Sequence, residues 1–291
     1  MIGFIGQGWI GKNYADDFEK RGFDVVRYSR EEPYIKNKGK IKDCDIVFIA
    51  VPTPTTPKGF DLGIVKKVIK LVGKGKVGVL KSTILPGSTE MIQKENPGIY
   101  VMHSPEFLTE ATAAFDAGNP DRNIIGIPKK DKNFIEKAKL VLSVLPKAPY
   151  NKICSAKEAE LVKYGGNCFF YTKVIFMNLL YDLAREMGCS WDVLGEMLSA
   201  DPRIGKVHMN PVHKGGRGGG GHCFIKDFAA FIEIYKKLLP KDKKGMDVLL
   251  ANEAKNIELL VSTKKSLDLL ESVYGGGILC KDTKRNDKKK F

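Results

Sequence analysis

The first twenty residues combine a strand-length apolar run, glycines at fixed spacing and a helical pattern. Ile2–Ile5 leads directly into Gly6-Gln7-Gly8-Trp9-Ile10-Gly11, and the helical pattern covers Trp9–Lys20. Glycines at this spacing permit a tight turn, a close approach of the backbone to a pyrophosphate, and close packing of helix on strand. This start predicts a dinucleotide-binding Rossmann unit. The predicted cofactor contacts in it are Gly6, Gly8, Trp9, Ile10 and Gly11.

Short apolar runs alternate with helical patterns through the rest of the first half. Runs of this length, rich in Val and Ile, are typical of strands buried in a parallel sheet. We therefore predict an α/β fold in which residues 1–154 form a doubly wound parallel sheet that binds NAD(P). The further candidate strands are Phe23–Tyr28, Ile46–Val51, Val77–Leu80, Ile99–Met102 and Ile124–Ile127.

The second half is mainly helical in pattern. Ser155 and Glu158 have the spacing of a capping box, and the helix that they open is predicted to end at Met187, before Gly188. Further helices are predicted over residues 190–198, 228–238 and 245–270. We expect residues 155–270 to form a helical central domain for dimerisation and catalysis. Residues 271–291 form a Lys-rich tail, for which we predict loose order.

The distribution of charge and the spacing of the cysteines argue against nucleic-acid binding and against a metal site. The formal net charge of +14 comes mostly from dispersed lysines, without the aromatic-interleaved basic stripe of nucleic-acid binders. Dispersed lysines favour small anionic ligands, so we expect no nucleic-acid partner. The six cysteines form no CxxC pair and no zinc-spaced cluster, so we expect thiols and no metal. With neither a signal peptide nor an apolar run of about 20 residues, we expect a cytoplasmic protein without a membrane partner.

The residues after the second predicted strand bear on the choice between NAD and NADP. An NAD site usually has Asp or Glu there, bonded to the ribose 2′-hydroxyl, whereas this chain has Ser29 and Arg30. A small hydroxyl followed by Arg suits a 2′-phosphate and favours NADP. Glu31 or Glu32 can still serve the ribose if the loop curls back, so both cofactors stay open on these residues.

A glycine-dense run, Gly216 to Gly221, precedes Cys223 at the predicted start of a helix. A thiol at a helix N-terminus near Lys is shifted toward thiolate, the nucleophilic form. A single cysteine is more often buried and inert, so its role depends on the rest of the chain. Lys163 and Asn167, four residues apart on a helix, share one face. Beside a reactive thiol, the ammonium group of Lys163 and the amide group of Asn167 could both stabilise an oxyanion.

Several sequence segments, taken together, closely resemble motifs of the UDP-glucose/GDP-mannose dehydrogenase family, over about residues 1–260. Their content and order make the resemblance highly specific. The segments are Val51-Pro52-Thr53-Pro54, Lys81 to Thr89, Ser104 to Glu110, Pro120-Asp121-Arg122, Ala159 to Asn167, Asp201 to Gly205, and Gly216 to Asp227.

The resemblance implies a double oxidation of a nucleotide sugar, with UDP-glucose favoured. It makes Cys223 the nucleophile, which captures the aldehyde as a thiohemiacetal and passes through a thioester to the uronate. It assigns charge stabilisation at the reacting oxygen to Lys163, and hydrogen bonds there to Asn167 with Asp227. Glu110 becomes the general base of thioester hydrolysis. Thr83 would help to place the water.

The resemblance also implies the remaining contacts and a homodimer. The family's Arg, here Arg203, reaches across the dimer interface toward substrate. Further cofactor contacts would come from Pro52, Thr53, Thr83, Glu110 and Lys226, in addition to Ser29 and Arg30, which are proposed from their position after the second strand. Substrate contacts would come from Glu106, Phe107, Leu108, Lys163, Asn167, Arg203 and Gly220.

The chain also departs from the family pattern. We expect the usual third domain, which helps to bind the sugar nucleotide, to be absent, and residues 206–214 add length before the glycine-dense run. Gly221-His222-Cys223 is closer to the UDP-N-acetylmannosamine branch, whereas Lys226-Asp227 follows the UDP-glucose and GDP-mannose branches. Three readings compete: the nucleotide-sugar dehydrogenase, which we favour; a two-domain β-hydroxyacid dehydrogenase, which needs no cysteine; and a non-catalytic nucleotide-sugar-binding relative.

Overall fold

The computed structural model describes residues 1–109 and 111–279, except for the side chain of His222. The described residues separate into two compact units. Unit 1 comprises Met1–Pro54 and Asp61–Lys163, and unit 2 comprises Thr55–Phe60 and the residues from Tyr164 onward.

Strands and helices follow one another along the described chain. The strands are β1 Ile2–Ile5, β2 Val25–Tyr28, β3 Ile46–Ile49, β4 Thr55–Thr56, β5 Gly59–Phe60, β6 Val77–Leu80, β7 Tyr100–His103, β8 Arg122–Ile127, β9 Tyr150–Ser155, β10 Val212–His213 and β11 Gly216–Arg217. The α-helices are α1 Trp9–Lys20, α2 Gly63–Val68, α3 Ser88–Glu95, α4 Ala113–Gly118, α5 Lys132–Val144, α6 Ala156–Glu186, α7 Trp191–Ser199, α8 Gly221–Leu238, α9 Lys243–Ser262 and α10 Leu267–Tyr274.

Unit 1 is built on one seven-stranded sheet in the order β2-β1-β3-β6-β7-β8-β9. The predicted Rossmann-like α/β fold is confirmed, and the neighbouring strands β2-β1-β3-β6-β7 pair parallel in that order. The next pair, β7 and β8, is antiparallel through His103 and Gly126, so the sheet is mixed.

The outermost strand, β9, was not among the predicted strands. It pairs parallel to β8 along its whole length, but its residues are exposed or half-buried. Its sequence therefore lacks the apolar run that indicates a buried strand. Edge strands are often polar because one side of the ladder faces water.

The core of unit 1 lies between the sheet and α1. Phe4 of β1, Phe18 of α1 and Phe48 of β3 form a three-ring cluster with centroids 5.1 to 5.4 Å apart. Strands β1 and β3 are buried at every position, as strands in the middle of a parallel sheet should be. This packing fixes the start of α1 at the carboxyl edge of β1.

In the residues that the structure describes, unit 2 consists of helices and two short hairpins, β4–β5 and β10–β11. Its inner packing includes Tyr171 of α6 stacked on Phe228 of α8, with ring centroids 3.9 Å apart. The capping box at Ser155 is confirmed: Glu158 accepts a hydrogen bond from the Ser155 backbone N–H at 2.7 Å. The helix that it opens continues without a break to Glu186, and Gly188 follows with a positive φ of 70°.

Two predicted helices have different bounds in the structure. Helix α8 begins at Gly221, so the segment predicted over residues 228–238 and the helix start predicted at Cys223 belong to one helix. The continuous helix predicted over residues 245–270 is wrong. It is two helices, α9 and α10, separated by Lys264 and Ser266 in the left-handed region, with φ of 55° and 53°. No helix in the described part of the chain is long and apolar enough to cross a membrane.

The aromatic cluster of unit 1 gives a direct test of the core. Phe18 is fully buried, at 0% exposure, so Phe18→Ala is expected to lower the free energy of unfolding by about 3–5 kcal/mol. Phe115→Ala is the matched control, since Phe115 is 67% exposed, and its effect should stay within about 0.5 kcal/mol. Urea denaturation measures both. Equal losses in the two variants would contradict this description of the core.

Candidate active site

The turn from β1 into α1 forms a cradle lined by backbone. Gly6 has a φ of 91°, and a Cβ on it would overlap the carbonyl of Ala50. A Cβ on Gly11 would overlap the Gly6 carbonyl oxygen, whereas the Cβ position of Gly8 meets no atom within 4 Å. Gly8 is the N-cap of α1 and supplies no side-chain cap, so the first N–H groups of the helix are offered to a ligand. Open space and a helix N-terminus together fit a dinucleotide pyrophosphate.

The ends of β3 and β6 are tied together beside this cradle. The Ser82 hydroxyl donates to the carbonyl of Val51 at 2.7 Å and accepts from its N–H at 2.9 Å. The Thr53 hydroxyl donates to the carbonyl of Thr83 at 2.7 Å. The structure therefore brings together the loops that carry three predicted cofactor contacts, Pro52, Thr53 and Thr83. They lie at the carboxyl edge of the sheet, where open α/β folds bind ligands.

Ser29 and Arg30 follow β2 at the surface. The Ser29 hydroxyl donates to the carbonyl of Glu31 at 2.9 Å and accepts from its N–H at 3.2 Å. It therefore closes a small turn, and Arg30 is exposed. Arg27 of β2, in contrast, is buried and paired with Glu19 at 2.7 Å.

A buried carboxylate that the sequence reasoning left without a role organises the loop after β6. Glu160, on the second turn of α6, is 0% exposed. It accepts hydrogen bonds from the backbone N–H of Gly87 at 2.6 Å, and from the N–H and hydroxyl of Thr89 at 2.8 and 2.6 Å. Burial raises the pKa of Glu160. It caps α3 from outside, which Gly87 cannot do, and so fixes the loop that carries Thr83.

Lys163 lies one turn further along α6, in a buried ion pair with Glu106. Their side chains are 7% and 4% exposed, and Lys163 Nζ is 2.8 Å from Glu106 Oε1. The other oxygen of Glu106 accepts from the backbone N–H of Leu108 at 2.8 Å, so the pair also shapes the loop after β7. Phe107 in that loop carries the guanidinium of Arg122 over its ring, 3.7 Å from the centroid.

Two buried titratable residues at the ends of β6 and β7 were also missed. Lys81 Nζ donates to the Ser104 hydroxyl at 3.2 Å and lies 4.2 Å from the ring centroid of Tyr14. Burial lowers the pKa of Lys81 to about 7 and that of His103 to about 3. Both residues stand inside or beside the quoted segments, but burial of a polar side chain leaves no periodic signal in one sequence.

In unit 2, Cys223 is the third residue of α8, and Gly220 is the N-cap of that helix. The residue is exposed, whereas Cys44 and Cys168 are buried. Burial raises the pKa of those two thiols to about 11 and about 12. The prediction that the glycine-dense run delivers a cysteine to a helix start is confirmed. An accessible thiol in the first turn of a helix is the arrangement that favours thiolate.

One turn after Cys223, Asp227 joins two other predicted residues. Asp227 is 1% exposed. Its carboxylate accepts from the Asn167 amide at 2.6 Å and pairs with Lys226 Nζ at 2.5 Å. Both acceptors of the buried carboxylate are thus engaged, and the Asn167 amide is held in one orientation.

The glycines before Cys223 accommodate neighbouring protein atoms. A Cβ at Gly216 would lie 2.7 Å from the Cβ of Lys265, and one at Gly220 would lie 2.7 Å from the Ser266 hydroxyl. Gly218, with φ of 84°, would place a Cβ 2.9 Å from the Asn256 side-chain oxygen. Close packing against α9 and the α9–α10 connection, a contact that the sequence did not reveal, therefore accounts for glycine at these three positions.

The remaining predicted residues have simpler surroundings. The Arg203 side chain is 88% exposed and forms an ion pair with Asp201 at 2.6 Å. Part of the added length before the glycine-dense run folds into the β10–β11 hairpin. Glu110 and the lysines after residue 279 lie outside the described residues.

Comparisons with known proteins agree with the geometry. Residues 32–142 match the NAD binding domain of the UDP-glucose/GDP-mannose dehydrogenase family, and residues 157–256 match the central domain of the same family. UDP-glucose 6-dehydrogenase TuaD of Bacillus subtilis is 32% identical over 250 residues, which cover 81% of this chain and 51% of TuaD. The chain spans 34% to 64% of the length of the first five curated relatives that it matches.

Solved structures share the fold. A UDP-glucose dehydrogenase from Pyrobaculum islandicum superposes with a TM-score of 0.74 at 28% identity, covering 90% of this chain and 69% of that one. A UDP-D-ManNAc dehydrogenase from Pyrococcus horikoshii has a TM-score of 0.71 at 22% identity, with 89% and 69% covered. With both of its domain models matched along most of the sequence, the chain belongs to the UDP-glucose/GDP-mannose dehydrogenase family.

Proposed function

We propose that this chain is an NAD-dependent nucleotide-sugar 6-dehydrogenase, which oxidises the C6 alcohol of a UDP-hexose to the uronate. UDP-glucose is the favoured substrate. The observation that carries the proposal is the exposed Cys223 in the first turn of α8, with the Asp227–Asn167 pair one turn later. A simple alcohol dehydrogenase has no use for a thiol in such a position.

The β1–α1 cradle fits NAD. Gly6, Gly8 and the N-terminus of α1 would hold the pyrophosphate, while the tied loops at Thr53 and Thr83 border the same edge of the sheet. When bound, NAD accepts a hydride in each oxidation. We choose NAD over NADP because residues 32–142 match an NAD binding domain. Binding of the NADP 2′-phosphate by the exposed Arg30 stays a prediction.

Cys223 supplies the covalent step. After the first hydride leaves C6, the thiolate adds to the aldehyde carbon, and the former carbonyl oxygen takes a proton to give a thiohemiacetal. The second hydride leaves the same carbon while the hydroxyl group gives up its proton to water, which yields a thioester. Water then adds, the C–S bond breaks, and the uronate departs with the thiol restored. The helix N-terminus at Gly220 favours the thiolate form throughout.

The remaining catalytic roles are proposed for side chains whose hydrogen-bond partners hold them in place. Lys163 offers a positive charge for the reacting oxygen, and its pairing with Glu106 defines its orientation. Asn167, fixed by Asp227, offers an amide hydrogen. Thr83 and Glu110 keep their proposed roles in placing and activating the hydrolytic water.

A homodimer is proposed from an exposed apolar stripe on α6. Phe169, Phe176 and Leu183 recur every seven residues and are 64%, 58% and 56% exposed. Residues seven apart lie on one helical face, and an apolar face this large on a long helix suits a two-fold contact. Arg203 would reach the partner's substrate. The uronate product would serve polysaccharide biosynthesis in the cytoplasm.

The double oxidation predicts a cofactor count. Limiting UDP-glucose with excess NAD should give two NADH per sugar consumed, and Cys223→Ser should abolish uronate formation. Cys189→Ser is the matched control, because Cys189 is also exposed and has no proposed role. One NADH per sugar, or unchanged turnover in Cys223→Ser, would favour the β-hydroxyacid reading. No reduction across a panel of nucleotide sugars would favour the non-catalytic one.

The glycine cradle predicts a loss of cofactor binding. Gly11→Ala should weaken NADH binding at least tenfold, because its methyl group would push the helix start away from Gly6. Gly39→Ala is the control, since its Cβ position meets no atom within 4 Å. Titration of NADH fluorescence measures both. Equal affinity in the two variants would contradict this placement of the cofactor.

The apolar stripe predicts the oligomeric state. Phe176→Glu should convert the dimer to a monomer, because it places a charge in the middle of the stripe, whereas Val248→Glu on α9 should not. Val248 is 60% exposed, which matches Phe176 closely. Light scattering after size-exclusion chromatography gives the mass of each variant. A Phe176→Glu dimer would rule out the stripe as the interface.

A further inference from the structure

We propose that Lys265 is a positioning residue for Cys223: its ammonium group fixes the backbone before α8 and favours the thiolate in the first turn of that helix. The role rests on the proposed function of Cys223 as the nucleophile. It concerns the glycine segment, Gly216–Gly221, and the elbow, Thr263–Ser266, which connects α9 to α10.

Lys265 reaches the glycine segment with both its stem and its charge. Its Nζ donates to the carbonyl oxygens of Gly218 at 2.9 Å and Gly216 at 3.3 Å. A Cβ at Gly220 would lie 3.1 Å from the Cε of Lys265, and Cε bears the ammonium nitrogen. Since Gly220 is the N-cap of α8, the charge lies beside the start of the helix that carries Cys223.

The rest of the elbow holds the same segment by short-range contacts. The Thr263 hydroxyl accepts from the Arg217 N–H at 3.0 Å, and the Ser266 hydroxyl accepts from the Gly221 N–H at 3.4 Å. Lys264 and Ser266 adopt positive φ on either side of Lys265. Non-glycine residues keep this conformation only where the surrounding structure demands it, and here Thr263, Lys265 and Ser266 all contact the glycine segment.

Asn256 provides the neutral counterpart of Lys265. Its side-chain oxygen accepts from the Gly219 N–H at 2.7 Å, and its amide donates to the Gly219 carbonyl at 3.1 Å. It is 1% exposed. Asn256 therefore fixes the middle of the glycine segment without charge, which separates the effect of position from the effect of an ammonium group.

The charge of Lys265 is placed where a cation is costly. The N-terminus of a helix carries a partial positive charge, and burial, with Lys214 nearby, lowers the pKa of Lys265. Two carbonyl oxygens offset part of this cost. A thiolate in the first turn of α8 would offset more, because it interacts favourably with both the helix end and the ammonium. The other charged groups on that part of α8 are Lys226 and Asp227, which pair with each other.

The test measures the reactivity of Cys223 directly. The rate of its alkylation by iodoacetamide is followed against pH, with the modified peptide identified by mass spectrometry so that Cys189 does not contribute. Lys265→Met should raise the pH of half-maximal rate by about one unit, and slow alkylation near neutral pH by about tenfold. Lys265→Arg keeps the charge and should restore the original midpoint.

Asn256→Ala is the matched control. It loosens the glycine segment but leaves the charge, so its midpoint should stay within a few tenths of a pH unit even if its maximal rate changes. Thermal unfolding confirms that each variant is folded. If Lys265→Met does not fold, Lys265→Gln replaces it, because the amide still donates to a carbonyl without a charge.

An unchanged midpoint in a folded, uncharged variant would overturn the proposal and leave Lys265 a structural residue. A shift that Lys265→Arg does not restore would also overturn it. Alkylation requires no turnover, so these outcomes are distinct from failure of the proposed function. That failure would appear as uronate formation by Cys223→Ser.

Discussion

The carboxylate of Glu160 fixes the working edge of unit 1. A helix start such as that of α3 leaves several N–H groups without partners, and Gly87 has no side chain to satisfy them. Glu160 supplies the missing acceptor from α6, with no exposure to water. If that carboxylate were absent, the end of the loop after β6 would lose this anchor, while the ties from Val51 and Thr53 to Ser82 and Thr83 would remain. The buried Lys163–Glu106 pair anchors the loop after β7 in the same way.

Helix α6 carries three polar residues with defined partners. Glu160, Lys163 and Asn167 lie within two turns of one uninterrupted helix, so their spacing along its axis is set by helix geometry. Each engages a different part of the chain: the start of α3, the loop after β7, and the carboxylate of Asp227. Rigid elements hold polar groups more closely than loops do, which suits residues with geometric duties.

Prediction succeeded where local patterns determine structure. β1, β6 and α1 have the predicted bounds because neighbouring residues alone determine a buried strand or a glycine turn. It failed where distant contacts decide. The break between α9 and α10 depends on Lys265 reaching Gly216 and Gly218, and no local feature of residues 245–270 reports that. The role of Glu160 was hidden likewise, since its partners lie more than seventy positions earlier.

The packing of the elbow against Gly216, Gly218 and Gly220 sets a minimum length for any working fragment. The family's central-domain match ends at residue 256, yet contacts that shape the backbone before Cys223 extend to Ser266. A fragment cut at the end of the matched region would keep every residue assigned a chemical role and still lose the support of its thiol. The region recognised by the family model is therefore shorter than the region that supports the backbone before Cys223, and the elbow belongs to the second.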